Sequence, residues 1–474
     1  MSRRSSLKGL GTIGAFALLG KPGDVQPVRP VGRRAKKEDI RKSILDKVMN
    51  TPFIDTHEHL IEENERLSGT AHPRVKSDDW SMVLSHYIDA DFVAAGMTPE
   101  HRDRFFSPRM DPVDKWGLIA PYWPYVKNTG YGQAVTITIR ELYGVEELSS
   151  ATVRKVQDGY EKIRKPGFYR HILNGLAKIE SCQVNCLTKP FEESAMPALL
   201  MQDISIVGMF AGPELKQFGE PTGIAVASLD DWHRVIDWWL TRYGNYAVAV
   251  KSQNAYKRDI DYQRVSAETA SPVFSKKLSG QVLSDVETKM LEDHLFWYAV
   301  DRATKHRLPV KLHTGYYSGT GRMPLTRLMH NPGSATDLCR QSPEARFVFM
   351  HIGYPYYEEM ISLAKQYPNA CLDMCWSWII NPVAAKDFLK KYLVTAPANK
   401  ILTFGGDYIP VETVLGHARI ARHGIALALS ELVEEGWLGL DQALELADPI
   451  MHGNARRIFD LEEKDKILRT VKWG

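Results

Sequence analysis

Six residues whose side chains can bind a metal or move a proton lie at the ends of short apolar runs. Along the chain they are His57, His59, Lys251, His313, His351 and Asp407. Alternate side chains of a strand face the same way, so His57 and His59 can direct two imidazoles at one point. Neutral imidazole suits zinc, iron, nickel and manganese, and one carboxylate completes a site that keeps a position open for water. The series therefore predicts a metal centre built from several strand ends.

The runs that carry these residues are rich in Val, Ile, Leu and Phe, as buried parallel strands are. With three further apolar stretches they give eight strand candidates, at residues 51–60, 176–181, 203–210, 246–251, 309–313, 346–351, 370–374 and 400–407. Segments with helical periodicity lie between them, such as 287–306 and 356–367. This alternation predicts an α/β fold, a (β/α)₈ barrel, in which catalytic residues come from the C-terminal ends of several strands.

The connection after the first strand, residues 61–175, is much longer than a barrel requires. Helical patterns occur in it at 80–95, 112–119 and 154–163. We expect an inserted helical subdomain that covers the mouth of the barrel, within one catalytic unit at residues 39–474.

Composition and charge exclude several classes of protein. With 60 basic and 57 acidic residues the net charge is +3, which provides no overall field for nucleic acid. The five cysteines lack the spacing of a thiolate metal site and do not suggest a disulfide framework. The expected partner is a small-molecule substrate.

Residues 1–38 have the pattern of a signal segment followed by a linker. Arg3 and Arg4 precede an apolar stretch at 9–20, which resembles a twin-arginine signal and is too short for a stable membrane span. We expect export to the periplasm. The alternatives are an uncleaved anchor and a basic tail on a cytoplasmic protein.

Several stretches together resemble the amidohydrolase superfamily. They are residues 54–60, 250–256, 308–315, 351–355, 367–369 and 453–459. The similarity is to the amidohydrolase-related branch (amidohydrolase 2), and within it to nodulin-like domains, some of which are fused to glutamine synthetase. The long insertion after the first strand is also similar to that of the uronate isomerases, which belong to the same superfamily.

The resemblance implies a role for each residue of the series. His57, His59, His313 and Asp407 would hold a primary divalent metal, with zinc expected, and Asp407 would also be the general base toward the attacking water. His351 would hydrogen-bond the substrate or join a second metal. Lys251 would be a carboxylated bridge between two metals, a contact to a substrate anion, or part of a salt bridge. Its role decides whether the chain holds one metal or two.

Position alone indicates five further residues that could contact the substrate. Arg258 and Arg322 could bind a substrate carboxylate through two parallel hydrogen bonds, although each could equally be a solvated surface arginine. Tyr316, Tyr354 and Trp376 follow strand ends and could line the pocket, or pack against the insertion.

The leading hypothesis is a metal-dependent hydrolase that cleaves an amide or related C–N bond of a small carboxylated molecule. Its rivals are a uronate-isomerase-like sugar-acid isomerase, a metal-dependent decarboxylase and an inactive metal-dependent binding protein. The barrel alone cannot separate them, because one fold hosts many chemistries. Barrels of this kind often form homodimers, although no segment of the sequence marks an interface.

Overall fold

A computed structural model of the chain describes residues 37–69, 72–75, 77–207, 209 and 216–473. Eight parallel strands form one sheet in the order β1 to β8, which confirms the predicted barrel. Of the predicted signal segment and linker, residues 1–38, residues 1–36 lie outside the described residues, and the last two begin the first helix. The strands are β1 Phe53–Glu58, β2 Ile179–Val184, β3 Leu200–Ser205, β4 Ala249–Ser252, β5 Val310–His313, β6 Phe347–Met350, β7 Ala370–Asp373 and β8 Ile401–Leu402.

The segment that follows β8 is joined to the segment of β1 by three backbone hydrogen bonds. Thr56 N–H donates to the carbonyl of Phe404 at 3.0 Å, and His59 N–H donates to the carbonyl of Tyr408 at 3.0 Å. In the opposite direction, Asp407 N–H donates to the carbonyl of His57 at 2.9 Å. The segment after β8 therefore continues along β1 and brings Asp407 next to the two histidines.

Two predicted strands are displaced along the chain. The second was predicted at 176–181, but a π-helical turn occupies His171–Leu176 and β2 begins at Ile179. The third was predicted at 203–210, whereas β3 ends at Ser205 and residues 207 and 209 are helical. Both errors have one cause, since an apolar run looks the same in a buried strand and in a buried helix.

Of the described helices that precede β2, all but the first lie between β1 and β2. The predicted helix at 112–119 is present with those bounds. The helix predicted at 154–163 begins one residue earlier, at Val153. The pattern at 80–95 divides into a 3₁₀ turn, Trp80–Leu84, and a short helix, because Tyr87 has a left-handed φ of 74°. The helices are α1 Lys37–Asn50, α2 Glu63–Ser68, α3 Ile88–Ala94, α4 Pro99–Phe105, α5 Pro112–Ile119, α6 Trp123–Val126, α7 Gly130–Tyr143, α8 Val153–Ile163 and α9 Phe168–Arg170.

The remaining helices follow β3 to β8. They are α10 Lys216–Gly219, α11 Leu229–Tyr243, α12 Ala267–Leu278, α13 Asp285–Lys305, α14 Leu325–Gln341, α15 Tyr357–Gln366, α16 Ser377–Ile380, α17 Pro382–Leu393, α18 Val411–Glu434, α19 Leu440–Asp448, α20 Asn454–Ile458 and α21 Leu461–Leu468. The patterns at 287–306 and 356–367 correspond to α13 and α15. In the part of the chain that the structure describes, no helix has the length and hydropathy needed to cross a bilayer.

The helices between β1 and β2 pack on the barrel mainly through α7 and α18. The two backbones approach closely at Gly416, where a Cβ would collide with the carbonyl of Ala134. A buried ion pair adds a second connection, because the Arg66 guanidinium donates to both oxygens of Glu412 at 2.8 and 2.9 Å. Arg66 also donates to Tyr160 Oη at 2.6 Å. The insertion is therefore joined to the helix that follows β8.

We expect Arg66→Met to destabilise the protein by about 3–5 kcal/mol, because it leaves the Glu412 carboxylate buried without its partner. The free energy of unfolding in urea measures the loss. The matched control is Arg66→Met/Glu412→Leu, which removes both charges and should recover most of the stability. Equal losses in the single and double variants would contradict this explanation.

Candidate metal centre

Three of the predicted residues converge at the C-terminal ends of β1 and β8. His57 Nε2 lies 3.2 Å from Asp407 Oδ1, and His59 Nε2 lies 3.3 Å from the same oxygen. The ligand atoms of His57, His59 and Asp407 all lie within 4.8 Å of one another. His351 approaches from β6, with its Nε2 3.8 Å from Asp407 Oδ2. The structure thus gathers two imidazoles and a carboxylate at one point, with a third imidazole beside them.

Hydrogen bonds from the second ring nitrogen orient two of these histidines. His59 Nδ1 lies 2.7 Å from the carbonyl of Asn185, and His351 Nδ1 lies 3.0 Å from the carbonyl of Cys375. A carbonyl only accepts, so Nδ1 carries the proton in each ring and Nε2 is left with a lone pair. Such contacts fix the tautomer that a metal ligand requires.

Asp407 stands on a tightly held loop with a left-handed φ of 59°. Glu58 Oε2 accepts a hydrogen bond from Tyr408 N–H at 2.6 Å, and the preceding Gly406 leaves room for this carboxylate where a Cβ would collide with it. From the insertion, the Tyr87 hydroxyl donates to the carbonyl of Asp407. These contacts fix the carboxylate of Asp407 toward the histidines.

His313 and Lys251 lie in the same part of the barrel but have different contacts. His313 Nε2 lies 2.9 Å from the carbonyl of Tyr316, and its ring centroid is 4.4 Å from that of His351. Its ligand atoms do not join the converging group among the described residues. The Lys251 ammonium is fully buried and has no hydrogen-bond partner among those residues. The carboxylated bridge and the anion contact therefore both stay predictions.

Burial sets the protonation of the centre. It raises the pKa of Asp407 to about 7, against the opposing effect of Lys251. It lowers the pKa of Lys251 to about 8 and that of His351 to about 3, and it holds the pKa of His57 and of His59 well below the usual range. The imidazoles are therefore neutral near pH 7, the form in which histidine binds metals.

The donor set fits a divalent cation. Both ring nitrogens of His57 are buried without a hydrogen-bond partner among the described residues. Buried polar groups are rarely left unpaired, so such an atom calls for a ligand. A metal held by His57, His59 and Asp407 would satisfy one of the two nitrogens, with the nitrogen and oxygen donors that zinc accepts.

The two arginine candidates differ in their surroundings. The guanidinium of Arg258 donates to Asp293 at 2.7 Å, to Glu292 at 3.1 Å and to Asp261 at 3.1 Å. It also lies 4.4 Å above the ring of Tyr262. Its donors are therefore engaged within the protein. Arg322 is exposed on the loop after β5.

The three aromatic candidates form a continuous wall beside His351. The ring centroid of Trp376 lies 5.3 Å from that of His351, and the ring of Tyr316 lies 5.7 Å from Trp376 and 6.1 Å from Tyr354. Tyr87 stacks on Trp376 from the insertion, with 4.6 Å between ring centroids. Aromatic side chains of the barrel and the insertion thus meet at the centre.

Sequence reasoning missed four residues of the site. Gln253 Nε2 lies 3.0 Å from His59 Nε2, Cys375 Sγ lies 3.3 Å from His351 Nδ1, and His86 Nδ1 accepts from Ile409 N–H at 3.1 Å beside Tyr87. Gln253 lies one residue past the end of β4 and Cys375 two residues past the end of β7, positions that could have marked them. No comparable signal marks His86 and Tyr87, which lie inside the insertion.

His417 supports the Asp407 loop from α18, where its Nδ1 lies 3.1 Å from the carbonyl of Gly406. Burial lowers its pKa from 6.5 to about 3, so the unfolded chain binds a proton that the folded protein excludes. The contribution of His417 to the free energy of unfolding is therefore fully present above about pH 6.5 and is lost as the pH falls toward about 3. We expect this residue to account for about 3 kcal/mol between about pH 7 and pH 4.5.

Urea denaturation at the two pH values tests this expectation. His417→Asn should reduce the pH dependence, because it removes the titrating group. The control is His423→Asn, an exposed position on the same helix, which should keep the wild-type dependence. An unchanged dependence in His417→Asn would contradict the assignment.

The chain matches an amidohydrolase family model in sequence and uronate isomerases in fold. The amidohydrolase family model matches residues 279–461. Protein fluG of Emericella nidulans is 28% identical over 229 residues, a match that covers 46% of this chain and 26% of that protein's length. The match therefore spans only about a quarter of that relative's length.

Solved structures of uronate isomerases have the same fold. The enzyme from Thermotoga maritima superposes with a TM-score of 0.71 at 14% identity, covering 89% of this chain and 97% of that one. Glucuronate isomerase from Caulobacter crescentus gives a TM-score of 0.70 at 14% identity, covering 92% and 96%. The nodulin-like resemblance stays a prediction. The resemblance to amidohydrolases that the sequence indicates is confirmed over residues 279–461, which match the amidohydrolase family model.

Proposed function

We propose that this protein is a metal-dependent hydrolase that cleaves an amide or related C–N bond of a small carboxylated molecule. The observation that supports it most directly is the convergence of His57, His59 and Asp407 at the C-terminal end of the barrel. Catalytic residues of (β/α)₈ enzymes occupy this end. The family segment adds support from sequence.

In this proposal His57, His59 and Asp407 hold the metal, with His313 and Lys251 as further candidates. When bound, a divalent ion such as zinc polarises the scissile carbonyl and lowers the pKa of water. Asp407 takes a proton from the attacking water and returns it to the leaving amine, since its carboxylate lies at the point where the histidines converge. His351, neutral and with a free Nε2 lone pair, accepts a hydrogen bond from a substrate N–H.

A second candidate is a sugar-acid isomerase of the uronate-isomerase kind. It is favoured by the similarity of fold, which covers 89% of this chain and thus extends well beyond the strands of the barrel. Such a reaction moves a proton between adjacent carbons, so it needs an acid/base group and releases no amine. Asp407 could serve as that group as well.

Elemental analysis of the purified protein, followed by turnover assays, tests both candidates. A hydrolase should contain one or two divalent ions per chain and release an amine from N-acyl amino acids. An isomerase should exchange substrate hydrogen with deuterated solvent in glucuronate and release nothing. A protein that stays metal-free after supplementation with zinc or manganese would overturn both.

A further inference from the structure

A cavity of about 230 Å³ opens beside His59. It lies where β1 and β2 end, between the loop that follows β2 and residues 72–74 of the insertion. His59 thus belongs both to the metal centre and to the wall of this cavity. The polar residues of the wall include Glu62, Glu65, His72, Arg74, Lys189, Glu192 and Gln202.

Most charges of the cavity wall already have partners. Lys189 Nζ lies 2.9 Å from Glu192, and Glu62 accepts a hydrogen bond from Ala195 N–H at 3.1 Å. His72 faces Glu65 at 3.9 Å. Arg74 is exposed and has no ion-pair partner among the residues that the structure describes. It is therefore the cation of this wall whose charge remains available to a ligand.

A second group of the wall also lacks a partner. Gln202 on β3 is 3% exposed and donates from Nε2 to the carbonyl of Leu200 at 3.0 Å. This contact identifies the other atom, Oε1, as an acceptor, and Oε1 is buried without a hydrogen-bond partner in the described part of the chain. Leaving a buried acceptor unpaired is unfavourable, so a ligand that donates a hydrogen bond here would be favoured. The cavity thus offers a cation and a separate acceptor.

We propose that this cavity binds the carboxylate end of a hydroxy or amino acid, with Arg74 contacting the carboxylate and Gln202 accepting from the hydroxyl or amino group. The site rests on the proposed function, because it would hold the part of the substrate that does not react. A guanidinium suits this task, since its parallel N–H groups match the two oxygens of a carboxylate.

The position of Arg74 agrees with this role. Arg74 and His59 line the same cavity. A molecule held at Arg74 can extend along the cavity wall to His59 and so toward Asp407. Arg258, the other candidate for this task, already donates to three carboxylates.

Cys186 makes the site testable without any turnover. It lies on the cavity wall and is the partly exposed member of the five cysteines, while the other four are buried. Iodoacetamide should therefore alkylate Cys186 first in the folded, metal-loaded protein, and mass spectrometry locates the label. L-malate and D-glucuronate serve as the carboxylate probes, and malamide and glucuronamide as their neutral counterparts.

We expect at least one of the two acids to slow the alkylation of Cys186, and its amide to have little effect. Arg74→Met should raise the acid concentration needed for half protection by at least about tenfold. Arg74→Lys should need a concentration between those of the wild type and Arg74→Met. The matched control is Arg104→Met, an exposed arginine on α4 of the same insertion, which should behave as wild type.

Three results would overturn the proposal: no protection by either acid, equal protection by acid and amide, or unchanged protection in Arg74→Met. Because the readout is binding, it is independent of the chemistry at Asp407. Protection that depends on Arg74, in a metal-loaded protein that neither releases an amine nor exchanges hydrogen, would support this site and refute the proposed hydrolase. Amine release that is equal for acid and amide substrates, without protection, would refute the site alone.

Discussion

Replacing His57 and His59 together with alanine should leave the purified protein without its metal and lower turnover by about 10³-fold or more. The two rings supply two of the three converging ligand groups, so Asp407 alone would remain of that group to hold the ion. Loss of the ion removes several kcal/mol of charge stabilisation, and each 1.36 kcal/mol is tenfold in rate. Metal content per chain and kcat on the same sample measure the two effects.

The matched control for this variant removes two histidines elsewhere. His101→Ala/His330→Ala changes residues outside the converging group and should keep both metal and activity. A double variant at positions 57 and 59 that retains wild-type metal content would show that the ion is bound elsewhere. If metal is lost while turnover persists, the reaction does not use this centre.

We expect Asp407→Asn to lower kcat by about 10²–10⁴-fold, the usual contribution of a general base. The amide has nearly the shape of the carboxylate but cannot accept a proton. In the wild type the base must be ionised, so activity should fall as the pH drops. The pKa of Asp407 is about 7 without a bound ion, and a metal beside the carboxylate should place this acidic limb below that value. In the variant this acidic limb of the pH profile should disappear from the residual activity.

Asp373→Asn is the control for this experiment. Asp373 is also a fully buried strand-end carboxylate with a raised pKa, about 6, but its Oδ1 accepts from Cys375 N–H instead of facing the histidines. The acidic limb should remain in this variant. Retention of the limb in Asp407→Asn would assign the base to another group. Rates should be normalised to bound metal, because Asp407 is also a candidate ligand.

The parts of the site that lie on strands could be predicted from sequence. His57 and His59 are separated by the period of a strand, and Asp407 follows two glycines that allow the chain to turn, so local pattern and the barrel rule together indicate where they meet. Each of these predictions depended only on the spacing and the residue types within one short segment.

Contacts between distant segments could not be predicted in this way. The partners of Arg258 include Glu292 and Asp293 on α13, and only the packing of that helix brings them to the guanidinium. Tyr87 reaches Asp407 across 320 positions of the chain. The displaced start of β2 has a local cause, since the turn at 171–176 is as apolar as the strand after it.

The contacts of the insertion with the loop after β8 limit how this protein can be modified. Tyr87 and His86 hold the backbone at 407–409, and Arg66 holds Glu412 just beyond it. The insertion therefore cannot be treated as an exchangeable module, although it lies in a single connection of the barrel. A recombinant chimera that received the insertion of another barrel would also need the loop and helix start at 405–412 from the same donor.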